Sequence, residues 1–162
     1  MGNLALLALR IVLVMGLAGS LFVQAVMVPL LAIDIEDAPA AVRVPVIVIV
    51  LLGIGTTQVT MVCVWRLLTM VRRGTVFSHA AFRYVDIVIG AVAVASALTF
   101  ALGVTLAPGE DVAPGVVLLI GGLGVMIAGV ALVVLVLRML LAQAVARDAE
   151  AQHLQAELDG VV

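Results

Sequence analysis

Charged residues in this chain fall into clusters. Between the clusters run four stretches with no charge at all, residues 11–33, 44–65, 87–109 and 112–137, of 23, 22, 23 and 26 residues. About 20 consecutive apolar residues cross the hydrocarbon core of a bilayer as a helix. A helix also satisfies its own backbone hydrogen bonds where lipid offers no partner. Each stretch therefore predicts a transmembrane helix, and together they predict an all-α fold, an integral membrane four-helix bundle. The first stretch exceeds the ~7–15-residue apolar region of a signal peptide and reads as an uncleaved anchor.

The polar clusters orient the bundle. All eight basic residues are arginines, and Arg10, Arg66, Arg72, Arg73, Arg83, Arg138 and Arg147 fall at one end of the spans while only Arg43 falls at the other. The positive-inside rule places the arginine-rich end in the cytoplasm, with both termini. Asp34, Glu36, Asp37, Glu110 and Asp111 then lie in outer turns. Trp65, Phe77, Phe82 and Tyr84 gather at the inner boundary, where amphipathic rings prefer to sit. The expected layout is one membrane domain with spans near 11–33, 44–65, 87–108 and 113–137. A cytoplasmic interfacial loop covers 66–86, and helix four extends into a cytoplasmic helical tail over 138–162. Composition agrees: 65% of residues are hydrophobic and 11% charged, whereas soluble domains run near half and a quarter.

Prolines punctuate the pattern. Pro29 removes the backbone bond to the Ala25 carbonyl, so helix one should kink there. Pro45 and Pro114 stand near the starts of helices two and four, where a missing N–H costs little, and Pro108 closes helix three. The two hairpins also resemble each other, since Arg10 opens helix one and Arg83, 73 residues later, opens helix three. Their outer turns run Glu36-Asp37-Ala38-Pro39 and Glu110-Asp111-Val112-Ala113-Pro114. The pattern fits a duplicated helical hairpin. It equally fits any four-helix membrane protein that keeps arginine inside and turn residues outside.

Two segments lie outside the bilayer on the cytoplasmic side. In the loop, Gly74 suits a helix end and Ser78 an N-cap. Arg72, Arg73, Phe77, Phe82 and Arg83 are candidate contacts to lipids with anionic headgroups. In the tail, Leu140, Ala144, Ala151, Leu154 and Leu158 recur on one helical face, interrupted by Arg147, and form a candidate partner-contact stripe. A solvated tail and a loop that only anchors the bundle are the plainer alternatives.

Chemistry is scarce. No Asp, Glu, Lys, Arg or His lies within the spans, which argues against a proton relay or ion-coupled pump. The intramembrane polar residues include Gln24, Thr56, Thr57, Gln58, Thr60, Ser96 and Thr99, suited to bonding helices together. Gln24 and Gln58 differ by about 8 Å in depth at 1.5 Å per residue, so a direct bond would need a helix offset or a water. Small residues four apart, Gly16 and Ser20, Gly53 and Thr57, Ala91 and Ala95, and Gly124 and Ala128, suit close helix packing or a homo-oligomer. Asp86 is expected to pair with Arg83 on one helix face. The two histidines and one cysteine are widely spaced, and they form no metal or nucleophile motif. No enzyme, cofactor or nucleic-acid partner is expected.

Three segments carry a family likeness. Arg73-Gly74-Thr75-Val76-Phe77-Ser78 followed by Arg83, Asp111-Val112-Ala113-Pro114-Gly115-Val116, and the ending from Leu140-Leu141 through Ala144 to Glu157-Leu158-Asp159 stand in this order. Together they resemble a bacterial family of small four-helix membrane proteins, the domain of unknown function 2975 family. Val112 is an insertion relative to that pattern, and Gly160 departs from it. The resemblance implies a bacterial cytoplasmic (inner) membrane location and brings no active-site residues. The leading expectation is a non-enzymatic accessory or regulatory, stress-related membrane protein acting through a partner. A small oligomeric transporter or channel subunit is the alternative.

Overall fold

The structure, a computed structural model, describes residues 2–72, 79–108 and 112–159. The described residues are almost wholly helical. Helix α1 spans Gly2–Phe22, a π-helical turn follows over Val23–Met27, and α2 spans Val28–Asp34. These three form the first span. The others are α3, Ala40–Arg72, α4, His79–Leu106, and α5, Pro114–Asp159. Four segments are long and apolar enough to cross a membrane: Leu6–Asp34, Ala40–Met70, Phe82–Leu106 and Pro114–Glu157.

The expected disturbance at Pro29 is taken up ahead of the proline. Pro29 has no N–H to give the Ala25 carbonyl, and the chain widens by one residue per turn just before it, with the Val28 N–H donating to the Val23 carbonyl. The helix resumes with Pro29 in the first turn of α2, a position where the missing donor costs little. Pro114 likewise opens α5. Pro45 departs from expectation. The turn at 35–39 is tight, with Ala38 N–H donating to the Ile35 carbonyl and Arg43 Nη1 donating to the Glu36 carbonyl at 3.2 Å. Helix α3 therefore begins at Ala40, earlier than the charge pattern suggested, and Pro45 lies inside it.

Side-chain exposure is inverted relative to a soluble protein. Leu118 is 78% exposed, Leu119 74% and Met126 70%, whereas Ser96, a polar residue, is 5% exposed. Soluble monomers rarely expose apolar patches beyond a few hundred Å², so this surface belongs against lipid. The helices pack in chain order. Helix α4 lies between α3 and α5 and meets both extensively, while the first span rests more lightly on α3. Helix α5 continues unbroken for 46 residues, about 69 Å at 1.5 Å per residue, more than twice the ~30 Å of hydrocarbon.

One close approach holds the centre. Ser96 Oγ donates to the Gly124 carbonyl at 2.9 Å, and a Cβ on Gly124 would come within 3.1 Å of the Phe100 ring. Gly129, on the same helix, faces open space. Gly124→Leu should therefore destabilise the protein by ~1–3 kcal/mol through overpacking, and Gly129→Leu by no more than ~0.5 kcal/mol. Unfolding of the two variants in mixed detergent micelles checks this, and equal losses would contradict the packing described.

Candidate functional site

The polar side chains within the spans divide by what they bond. Thr56 and Thr57 donate to the Gly53 carbonyl, Thr60 to Thr56 and Thr99 to Ala95, all within their own helices. This back-bonding satisfies a threonine without a neighbour, and Thr57 is exposed. The expectation that the whole group ties helices together holds only for Ser96 and for a small cluster between the first span and α3. In that cluster Gln58 Nε2 donates to Gln24 Oε1 at 2.9 Å and lies 3.4 Å from Ser20 Oγ.

The bond between the glutamines is direct. Side chains on a helix tilt toward its N-terminus. The first span and α3 run in opposite directions, so Gln24 leans toward the arginine-bearing end and Gln58 leans away from it. Residues offset in depth thus aim at each other. Gln24 also sits within the π-helical turn. Nearer the arginine-bearing end, a Cβ on Gly16 would meet Met61 Cε at 2.8 Å, so this glycine leaves room for the tip of a side chain from α3. Gly53, by contrast, has nothing near its missing Cβ.

At the arginine-bearing end two arginines latch neighbouring helices. The Arg10 guanidinium lies 5.2 Å from the centroid of the Trp65 ring, a cation–π distance. Its Nη2 donates to Thr69 Oγ1 at 3.3 Å, and Thr69 Oγ1 donates in turn to the Trp65 carbonyl at 3.0 Å. On the other side of the molecule Arg138 grips Asp86, with Nη2 donating to Oδ2 at 2.7 Å and Nε 2.5 Å from Oδ1. Asp86 therefore pairs across helices with Arg138 and not with Arg83 on its own helix, through one charge-assisted hydrogen bond from Nη2 and a close ionic contact at Nε. Arg83 is exposed. Sequence reasoning missed both latches. Their signal is positional: each partner stands at or within a few residues of the boundary of a charge-free stretch, at the same depth as its mate on the adjacent helix.

The remaining candidates are scattered. Arg73 and Phe77 lie outside the described residues, as do Gly74, Ser78 and the side chain of Arg72, while Phe82 is half-buried on α4. On α5, Leu140, Ala144, Ala151 and Leu154 are all exposed, and the side chain of Leu158 lies outside the described residues. His153 Nε2 stands 3.7 Å from Glu157 Oε1 on the same stretch. Among the described residues no three of His, Cys, Asp or Glu come together as a metal site would require.

The glutamine bond makes a measurable coupling. In a double-mutant cycle of Gln24→Leu and Gln58→Leu, the pair should show ~0.6 kcal/mol of interaction, the average for hydrogen bonds between membrane helices. Additive losses in a detergent unfolding assay would show that the two side chains do not bond.

No curated protein and no solved structure matches the chain. A family model described as protein of unknown function (DUF2975) matches residues 30–162, so the match begins one residue after Pro29 and takes in α3, α4 and α5. With most of its length matched, the chain belongs to the DUF2975 family, as a membrane protein of four apolar helices.

Proposed function

We propose that this protein is a non-enzymatic, multi-pass accessory or regulatory component of a bacterial inner membrane, acting through a protein partner that grips its polar tail. One observation carries the proposal. Helix α5 leaves the apolar stretch and continues to Asp159 without a break, with Leu140 55% and Leu154 54% exposed on a face they share with Ala144 and Ala151. Leucines at helical spacing in water normally fit a groove or a second helix. The arginine distribution supports a cytoplasmic position for this tail and for both termini. A channel or transporter subunit is disfavoured by spans that carry no ionisable residue at mid-depth.

The described residues of the stripe, Leu140, Ala144, Ala151 and Leu154, are all exposed, so altering its distal end should not disturb the packing of the spans. Leu154→Glu with Leu158→Glu should leave membrane insertion and unfolding unchanged. The same variant should lose a stoichiometric protein partner by roughly tenfold or more in quantitative purification from native membranes, equivalent to ~1.4 kcal/mol. If the variant retains every companion of the full chain, the tail is only a solvated end.

A further inference from the structure

Of the arginines at the ends of the spans, Arg43 and Arg138 have oxygen partners that suit them: a backbone carbonyl at the far turn and the Asp86 carboxylate. Arg10 differs. Its guanidinium makes one long hydrogen bond, to Thr69, and stacks on Trp65. Its Nε, like that of Arg138, is shielded from solvent and has no hydrogen-bond partner, but Arg138 has the Asp86 carboxylate beside it. Among the described residues, no carboxylate forms an ion pair with Arg10. A guanidinium carries five donors, and leaving a shielded donor unmade costs free energy. This group therefore lacks an anionic oxygen.

What lies beside it defines the ligand. Between α1 and α3 runs a cleft of about 340 Å³ lined by Leu13, Val14, Leu17, Met61, Val62 and Trp65, almost wholly apolar. It shares Val14 and Trp65 with a second depression, whose apolar wall includes the hydrocarbon part of Arg10. From Arg10 to Leu17 along α1 the groove descends about 10 Å at 1.5 Å per residue. A ligand that fills both parts must be a long apolar chain with an anionic group at its interfacial end. A free anion would leave the apolar groove empty, and an extended peptide would bring backbone groups that lipid cannot satisfy.

We propose that this cleft is a binding site for an anionic phospholipid, with its phosphate on the Arg10 guanidinium and one acyl chain along Leu13, Leu17 and Met61. The site stands independently of the tail and of its partner. Its recognition is local: the arginine is positioned by Trp65 and Thr69, and the phosphate supplies the acceptors that the protein does not.

Trp65 is the single tryptophan of the chain, so the site contains its own reporter. The full chain is reconstituted in phosphatidylcholine vesicles that carry a small fraction of either phosphatidylglycerol or phosphatidylcholine with brominated acyl chains, and Trp65 emission is followed. Brominated phosphatidylglycerol should quench at about fivefold lower mole fraction than brominated phosphatidylcholine, the size expected for one arginine at an anionic surface. Arg10→Gln should abolish the preference while leaving quenching by phosphatidylcholine unchanged. Arg66→Gln, which removes the same charge from an exposed position at the same end, should keep the preference, and inorganic phosphate should not displace the lipid. Identical quenching curves for the two headgroups in the unaltered protein would overturn the proposal, whatever the folding of the variants. Loss of preference in Arg66→Gln, or competition by inorganic phosphate, would overturn it equally, by showing diffuse surface charge or a free-anion site.

Discussion

In hydrocarbon a peptide group has no water to fall back on, and an unpaired N–H or carbonyl costs several kcal/mol. The long, nearly uninterrupted helices of this chain follow from that constraint, as does the way the proline of its first span is handled. Pro29 cannot donate, and the helix ahead of it opens into a π-helical turn before closing again with Pro29 in the first turn of α2. The turn also holds Gln24, whose amide reaches Gln58 on α3. A local backbone necessity and the principal polar contact within the bilayer are thus the same piece of structure.

Packing is uneven, and the unevenness has a chemical counterpart. Helix α4 is the centre, clasped by α3 on one side and by α5 on the other through Ser96, Gly124 and the Asp86–Arg138 pair. The first span rests on α3 with less apolar contact and relies more on polar side chains, Gln24 with Gln58 at mid-depth and Arg10 with Trp65 and Thr69 at one end. The two hairpins are latched by arginines at non-corresponding places: the first by the residue just ahead of its first charge-free stretch, the second by the residue that follows its last one. The family match begins at Leu30, so α1 with Arg10 and the π-helical turn with Gln24 lie outside it.

The spans were legible because absence of charge over 20 or more residues is a strong signal that needs no tertiary information. Turn prolines were legible for the same reason, with Pro45 the exception: the start of α3 depends on the Arg43 and Ala38 bonds that tighten the preceding turn. Cross-helix partners were not legible. Asp86 has Arg83 three residues away on its own helix, and choosing Arg138 requires knowing that α4 and α5 lie side by side. The glutamine pair was misjudged by treating depth as a property of the Cα, when the tilt of side chains on antiparallel helices brings offset residues together. Ser96 was marked as a polar position, but its acceptor, a glycine carbonyl, leaves no trace in residue type.

The account stands on four crossings, with the proposed orientation setting the arginine-bearing end and the tail in the cytoplasm. Single cysteines introduced into a Cys63→Ser background test this directly in intact cells, using a membrane-impermeant maleimide. Ala38→Cys and Ala113→Cys, in the two acidic turns, should label from outside, while Thr75→Cys and Gln143→Cys should label only after the membrane is opened. Labelling of Thr75→Cys or Gln143→Cys in sealed cells, or protection of either turn, would contradict it.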